Sequence, residues 1–247
     1  MWDKIAQTCR FLLQNYPGAS LVQEYLDSRI SRSSQELFQL GYFPPIDEIY
    51  LLTDFIGEEV LQELKLVFVR NIYDSLYPRT VKSGYFDNYP LIIPYKNAYG
   101  VTVGLVGRTL LPGSSNISKY KNTHFKKGNH LFGLYENKSS ILKNNHVYLV
   151  EGQFDVIKAL EKELSNIVAI GNNNITSYQF SVISRYTNNI TLLLDNDEAG
   201  VKGRKNMVKK FDQFANITNF YVPEPYKDVD EYFSNETGDF SFVVKNI

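Results

Sequence analysis

The chain has 247 residues and a formal net charge of −1, with 43% hydrophobic and 21% charged residues, which is typical of globular rather than disordered proteins. Its single cysteine and three histidines exclude an internal disulfide and a cysteine-rich zinc site. No stretch approaches the roughly 18 consecutive apolar residues of a membrane span, and the start lacks the pattern of a secretory signal. We therefore expect a cytoplasmic protein without a membrane partner.

The amino-terminal third is predicted to be helical. Apolar residues at three- and four-residue spacing indicate helices over 1–15, 19–29, 33–39 and 57–65. Farther along, Leu91–Tyr95 and Val101–Val106 flank a turn that contains Gly100, which predicts a β-hairpin. Residues 111–130 form a polar stretch too long for a simple connection, and such loops are usually functional.

The charge of the chain is unevenly distributed. Between residues 79 and 130, eight basic residues stand against one acid, a net charge of +7. The same segment holds seven aromatic residues, namely Tyr85, Phe86, Tyr89, Tyr95, Tyr99, Tyr120 and Phe125. Cations neutralise phosphates and aromatic rings stack on bases, so this pattern predicts a nucleic-acid-binding segment. The alternative is a solvated charged face whose aromatic residues belong to the core.

Strands and helices alternate after residue 145. Apolar strands are predicted at Val147–Val150, Ile167–Ile170, Ile190–Leu194 and 217–222, with helices at 153–163, 176–186 and 199–214 between them. This alternation indicates a parallel sheet covered on both faces. In such sheets, ligands bind at the carboxyl ends of the strands.

Carboxylates follow three of these strands. Glu151 comes after the first strand, Asp195 and Asp197 after the third, and Asp228 and Asp230 after the last. These five side chains are expected to gather at one edge of the sheet, where they repel one another unless cations lie among them. Oxygen ligands without histidine or cysteine suit Mg²⁺ or Mn²⁺, and a pair of such ions supports phosphoryl transfer.

Each acidic motif also has a structural alternative, because an aspartate after a strand often caps a helix. We expect this local role for Asp155. Carboxylates after three separate strands of one sheet are a much rarer coincidence, which favours the metal-site interpretation.

Several blocks of the sequence resemble known families. VYLVEGQFD, residues 147–155, and LLLDNDEAG, residues 192–200, closely resemble the signature of the Toprim domain, which bacterial primases, topoisomerases and several nucleases share. Residues 90–108, which end in Gly-Arg, and the basic loop 119–134 resemble the DnaG-type DNA primases, as do residues 25–45. The resemblance runs from about residue 20 to residue 233.

The resemblance implies an α/β fold with two parts. A helical and β-hairpin N-terminal subdomain would cover residues 1–140 and contain the basic segment 79–130. A Toprim domain, Rossmann-like with a mostly parallel sheet, would cover residues 141–247.

The resemblance also implies an activity, which is the template-directed synthesis of short RNA primers on single-stranded DNA from ribonucleoside triphosphates. Glu151 would bind metal or handle protons near the attacking 3′-hydroxyl. The other four acids would hold Mg²⁺ or Mn²⁺, with no zinc. Template or nucleotide phosphates would be contacted by Arg108, Lys119, Tyr120, Asn122, Lys126 and Lys127.

Two alternatives remain open. A Toprim-type metal-dependent nuclease needs the same acids but does not explain the basic loop. A partner-dependent replication subunit would bind single-stranded DNA and depend on another chain for activity. The zinc ribbon and helicase-binding domain of the bacterial enzymes have no counterpart in this sequence, so we expect a zinc-ribbon protein or a replicative helicase to act in trans, or these functions to be lost. The small core suggests a phage protein in a bacterial or phage-infected cell.

Overall fold

The computed structural model describes residues 1–72, 79–111, 113 and 116–235, with residue 72 described by its backbone alone. The chain divides into two compact units. Unit 1 comprises Met1–Ser28, Phe38–Tyr95 and Thr102–Phe125, and unit 2 comprises Arg29–Leu37, Lys96–Val101 and Lys126–Ile247.

Helices and strands are numbered in chain order. The helices are α1 (Trp2–Asn15), α2 (Ser20–Asp27), α3 (Arg32–Leu37), α4 (Tyr50–Ile56), α5 (Glu58–Glu63), α6 (Leu134–Asn144), α7 (Gln153–Glu161), α8 (Ser177–Ile183), α9 (Glu198–Phe211) and α10 (Val229–Phe233). The strands are β1 (Gly41–Tyr42), β2 (Val67–Ile72), β3 (Arg79–Gly84), β4 (Leu91–Lys96), β5 (Thr102–Arg108), β6 (Tyr120–Asn122), β7 (Val147–Val150), β8 (Ile167–Ala169), β9 (Asn189–Leu192) and β10 (Asn216–Asn219).

Unit 1 is built on a four-stranded sheet in the order β1-β4-β5-β6. The predicted hairpin is confirmed as β4 and β5, and its turn is closed by the Asn97 amide, which donates to the Val101 carbonyl at 2.9 Å. Helix α1 packs on β1, β5 and α4. It does so because Ile5, Cys9 and Leu12 recur on one face at three- and four-residue spacing and are all buried.

The all-helical prediction for the amino-terminal third was incomplete. Strands β2 and β3 pair as an antiparallel ribbon, but the side chains of β3 are almost all exposed, so its sequence carries no apolar alternation. Helix α4 was also missed. Within the predicted loop 111–130, β6 pairs with β5 and a 3-10 turn covers Lys127–Asn129; residues 112, 114 and 115 lie outside the described residues.

Unit 2 contains the predicted parallel sheet, in the order β10-β9-β7-β8. All four side chains of β7 are buried, and because successive side chains point to opposite faces, both faces of this central strand are covered. Strand β10 is an edge strand with mostly exposed side chains and is shorter than the predicted 217–222. The α/β fold class is confirmed.

The core of unit 2 joins this sheet to its helices. Leu149, Val168 and Leu192 from the strands cluster with Ile141 of α6 and Met207 of α9, all buried.

The two units interleave along the sequence, since α3 and the hairpin turn Lys96–Val101 belong to unit 2. The predicted boundary between 1–140 and 141–247 stays a prediction, and residues 236–247 lie outside the described part. No helix of the described residues is long and apolar enough to cross a membrane.

Candidate functional site

Glu151 and Asp195 come together at the carboxyl edge of the unit 2 sheet. Glu151 directly follows β7, and the pairing of β7 with β9 continues past β9 because the Leu193 amide donates to the Leu149 carbonyl at 2.8 Å. Two residues farther on, the Asp195 amide donates to Glu151 Oε1 at 3.3 Å. The parallel register therefore places these two carboxylates side by side at the carboxyl ends of their strands, where parallel sheets bind ligands.

Asp195 and Asp197 converge on one cation, the ammonium of Lys227. Lys227 Nζ lies 3.5 Å from Asp195 Oδ2 and 3.2 Å from Asp197 Oδ2. The other oxygen of Asp197 caps α9, since Oδ1 accepts from the Gly200 amide at 2.9 Å. Asp197 thus uses one oxygen for the fold and turns the other towards a cation.

The residue between the two aspartates fixes the loop that carries Lys227. The Asn196 side-chain amide donates to the Val222 carbonyl at 2.8 Å and to the Tyr226 carbonyl at 3.0 Å. The Asn196 backbone amide donates to the Lys227 carbonyl at 2.8 Å. These three bonds attach residues 222–227 to the Asp-x-Asp turn.

A glycine allows α9 to begin against this turn. A Cβ added to Gly200 would collide with the carbonyl of Asp195, so any side chain there would push the helix from the strand end. The glycine five residues after the first aspartate is therefore part of the geometry of the acidic edge.

Asp228 and Asp230, two of the five carboxylates expected to gather at this edge, each have a partner in the described fold. Asp228 caps α10, because Oδ1 accepts from the Glu231 amide at 2.7 Å. The carboxylate of Asp230 forms a salt bridge with Arg29. Asp228 still contributes negative charge to the edge, since it raises the pKa of Asp195 by repulsion. Assignment of both residues as metal ligands stays a prediction.

Asp155 has the expected capping role and a further one. Its Oδ2 accepts from the Gly152 amide at 2.9 Å at the start of α7, and its Oδ1 accepts from the Asp230 amide at 2.9 Å. Burial, followed by repulsion from Asp228 and Asp195, raises the pKa of Asp155 well above its usual value. This side chain therefore joins the first and last acidic motifs.

The three carboxylates at this edge, Glu151, Asp195 and Asp197, have different pKa shifts. Partial burial and repulsion from Asp195 raise the pKa of Glu151 to about 7. Burial and Asp228 raise the pKa of Asp195, whereas the Gly200 amide and Lys227 lower the pKa of Asp197. A glutamate with a pKa near neutrality beside other carboxylates is characteristic of functional sites.

The chemistry of the donor set fits a divalent ion. Among the described residues, no group of three or more histidine, cysteine, aspartate or glutamate side chains encloses a metal position. Mg²⁺ is commonly held by one or two carboxylates, with waters and substrate phosphates as its other ligands. Asp195 and Asp197 already direct one oxygen each at a shared cation, which is the arrangement such a site needs.

In unit 1, Arg108 lies between two tyrosine rings. Its guanidinium is 5.2 Å from the ring centroids of both Tyr25 and Tyr120, and it donates a hydrogen bond to the Tyr120 hydroxyl. Only 7% of Arg108 is exposed. The structure therefore makes Arg108 a support for Tyr120, and its assignment to phosphate binding stays a prediction.

Basic and aromatic side chains alternate on β6 and beside it. Lys119 is exposed and lies 5.6 Å from the Tyr120 ring, and Lys121 lies 4.1 Å from the ring of Tyr85. The half-buried Asn122 accepts from the Tyr85 hydroxyl through its backbone carbonyl. β6 ends the sheet order, so this row lies at the sheet edge.

Lys126 and Lys127 belong to unit 2. Lys126 is exposed and Lys127 is half-buried at the start of the 3-10 turn. That turn is held to the amino terminus of α8, where the Thr176 hydroxyl donates to the Gly128 carbonyl. Helix α8 follows the carboxyl end of β8, so Lys127 lies on the same side of the sheet as the acids. Burial lowers the pKa of Lys127, and no carboxylate of the described chain offsets that shift.

The aromatic residues of segment 79–130 divide between core and surface. Phe86, Tyr89 and Tyr95 are buried, so the expectation that the rings of this segment stack on bases was wrong for these three. They fill the interior of unit 1. Tyr120 is half-buried and Tyr99 is 80% exposed, which leaves these rings accessible.

Sequence reasoning missed Lys227 and Arg29 as partners of the acids. Lys227 stands directly before Asp228, and a lysine within a predicted carboxylate cluster is a signal for an internal counter-ion. Arg29 precedes its partner Asp230 by 201 positions, and nothing in local spacing indicates that pairing.

Comparison with known proteins matches both parts of the chain to known families. The family described as "DNA primase catalytic core, N-terminal domain" matches residues 10–138, and the family described as "Toprim-like" matches residues 148–233. The DNA primase of Aquifex aeolicus is 30% identical over 235 residues, covering 92% of this chain and 45% of the relative. The chain thus spans less than half the length of that curated relative.

Solved structures of primases have the same fold as this chain. A crystal structure of the zinc-binding and RNA polymerase domains of the Aquifex aeolicus primase matches with a TM-score of 0.76 and 28% identity, covering 96% of this chain and 57% of that one. A DnaG primase catalytic domain bound to single-stranded DNA matches with a TM-score of 0.78 and 22% identity, covering 99% and 78%. The predicted resemblance to DnaG-type primases with a Toprim domain is confirmed, and the chain belongs to the family of the DNA primase catalytic core.

Proposed function

We propose that this chain is a primase core that synthesises short RNA primers on a single-stranded DNA template by metal-dependent nucleotidyl transfer. The observation that carries the proposal is the convergence of Asp195 and Asp197 on one cation, beside a glutamate whose pKa is about 7. Membership of the primase core family supports it.

The chemistry follows from these side chains. The 3′-hydroxyl oxygen attacks the α-phosphorus of a ribonucleoside triphosphate, and the bond to the bridging oxygen breaks so that pyrophosphate leaves. Glu151 titrates near neutrality and accepts the hydroxyl proton. Asp195 and Asp197, with Asp228 as a further contributor of negative charge, would hold Mg²⁺ or Mn²⁺. Such ions, when bound, would supply the positive charge that activates an attacking oxygen and stabilises a leaving phosphate.

Template or nucleotide binding is assigned to the basic residues and their aromatic neighbours. Lys119 and Lys126 are exposed and are proposed to contact phosphates, together with Tyr120, Asn122 and Lys127. Arg108 is proposed to act by holding the Tyr120 ring in place. A protein of the same fold has been solved with single-stranded DNA bound, which supports a strand as the ligand. A replicative helicase and a zinc-ribbon protein remain candidate partners in trans.

The first test is a priming assay with the Asp195→Asn, Asp197→Asn double variant. The purified chain is incubated with single-stranded DNA, labelled ribonucleotides and Mg²⁺ or Mn²⁺. Template-dependent oligoribonucleotides are expected from the wild type and should fall by at least about a hundredfold in the variant, since the variant loses the charges that hold the ions. Asparagine also caps helices well, so α9 is expected to persist.

Asp212→Asn is the matched control. This exposed aspartate lies at the other end of α9, and its replacement should leave synthesis unchanged. Equal synthesis by the double variant would overturn the metal assignment. Shortened template in place of new product would favour the nuclease. Strand binding without product would favour the partner-dependent subunit.

A further inference from the structure

Lys227 occupies the place between the two aspartates where a cation is needed. Its ammonium bridges Asp195 and Asp197 at 3.5 and 3.2 Å. Lysine side chains carry a positive charge at neutral pH. A single ammonium therefore offsets the repulsion between two carboxylates that face the same point.

The backbone of Lys227 is fixed on both sides, whereas its side chain is not. The Lys227 carbonyl accepts from the Asn196 amide at 2.8 Å, and the Lys227 amide donates to Glu231 Oε2 at 2.7 Å. The side chain is 55% exposed. The ammonium can therefore rotate into solvent while the loop that carries it stays attached to the Asp-x-Asp turn.

We infer that Lys227 is an internal counter-ion that competes with divalent metal for Asp195 and Asp197. In the metal-free protein the ammonium contacts both carboxylates and offsets their mutual repulsion. A divalent ion carries twice the charge and displaces the ammonium from both oxygens. The affinity for metal is accordingly lower than the carboxylates alone would give, by the free energy needed to break the two contacts with Lys227. This inference rests on the metal site of the proposed function.

Lys227→Met tests the competition directly, because it removes the ammonium and keeps an unbranched side chain. Binding of Mn²⁺ to the protein without nucleotide or DNA is measured by the loss of the free-ion electron paramagnetic resonance signal at pH 8 and low salt. In the wild type, Mn²⁺ must break two partly exposed ion pairs, each of which lowers the Mn²⁺ affinity by up to a few-fold. K227M lacks both pairs and is therefore expected to bind Mn²⁺ about three- to tenfold more tightly than the wild type.

Two further variants separate direct competition from a general field effect. Lys227→Arg keeps the charge and the carboxylate contact, so its affinity should remain at or below that of the wild type. Lys202→Met removes the same charge from an exposed position on α9 that forms no salt bridge with either aspartate within the described part of the chain, and it should change the affinity less than twofold. Thermal melting of each variant checks that the fold is retained.

The outcomes distinguish this inference from the proposed function. If D195N/D197N loses Mn²⁺ binding and K227M binds no more tightly than the wild type, the metal site stands and the competition is refuted. Equal tightening in K227M and K202M would also refute it. If D195N/D197N binds Mn²⁺ as the wild type does, the metal site itself fails and the inference fails with it.

Discussion

The raised pKa of Glu151 makes the stability of the folded protein depend on pH. Partial burial beside β7, followed by repulsion from Asp195, brings this pKa to about 7, against a usual value of 4.5. Between these two pH values the folded protein binds more protons at this position than the unfolded chain does. The stabilising contribution of protonated Glu151 is therefore complete below about pH 4.5 and is lost as the pH rises through 7.

Glu151→Gln should remove this pH dependence. Glutamine has nearly the same shape and still accepts from the Asp195 amide, but it does not ionise. In the metal-free protein, the free energy of unfolding of the variant relative to wild type is expected to increase by about 1–2 kcal/mol between pH 5 and pH 8, after allowance for solvent screening. Urea unfolding in the presence of a chelator at both pH values measures the change.

Glu59→Gln is the matched control, because Glu59 is an exposed glutamate on α5 of unit 1. Its effect should be the same at both pH values. A difference between E151Q and wild type that does not change with pH would contradict the raised pKa.

At the scale of elements, helix α9 is connected to two strand ends through one buried arginine. Arg204, 2% exposed, donates to the carbonyls of Asp195 at 2.9 Å and Phe220 at 3.1 Å, and also to the carbonyl of Leu194. Its guanidinium lies 4.4 Å from the ring centroid of Tyr221. One planar donor thus holds the Asp-x-Asp turn and the end of β10 against the same helix.

Arg204→Met should weaken this part of unit 2. The substitution keeps an apolar stem but leaves the carbonyls without the guanidinium donor, so we expect a loss of about 2–4 kcal/mol. Hydrogen exchange of peptides that cover β9 and β10, read by mass spectrometry, measures the loss locally. Lys205→Met on the exposed side of α9 is the control and should stay within about 0.5 kcal/mol. Equal exchange in both variants would show that the arginine contacts contribute little.

The elements that could be predicted from sequence are those whose signal is local. Strand β7 is a continuous apolar run, which marks a central parallel strand, and the position of Glu151 at its end could be predicted for that reason. Strand β3 was not found, because a solvent-exposed ribbon has no buried face to impose alternation. Strand β10 was predicted too long because edge strands are only partly buried.

In the candidate site, too, only the features with a local sequence signal could be predicted. The position of Asp195 and Asp197 at the carboxyl edge of the sheet could be predicted because they directly follow an apolar strand. The salt bridge of Asp230 with Arg29 and the two contacts of Lys227 depend on where separate loops meet. For the 222–227 loop, that meeting is set by the side chain of Asn196, which donates to two of its carbonyls, and no periodicity in the sequence encodes it.

At the scale of the whole molecule, the net charge of −1 conceals the +7 of segment 79–130. Parts of that segment fall in each unit, with Lys119 in unit 1 and Lys127 in unit 2. Lys119 is exposed, and Lys127 is partly buried without an offsetting carboxylate among the described residues. Lysines in such settings can bind phosphates, and each phosphate contact releases condensed counter-ions. If the chain binds a strand as proposed, the slope of log affinity against log salt is set by the number of phosphates bound.

Lys119→Ala combined with Lys127→Ala should therefore reduce the slope of log affinity for single-stranded DNA against log salt by up to about 1.4, at roughly 0.7 for each phosphate that is no longer neutralised. Fluorescence anisotropy with a labelled oligonucleotide, titrated at several salt concentrations, measures this slope. Lys143→Ala with Lys162→Ala removes the same charge at the carboxyl ends of α6 and α7, which lead into the amino ends of strands β7 and β8, on the side of the sheet away from the acids. This control should keep the wild-type slope. If both double variants reduce the slope equally, binding reflects net charge alone, and the basic segment is not the strand-binding surface.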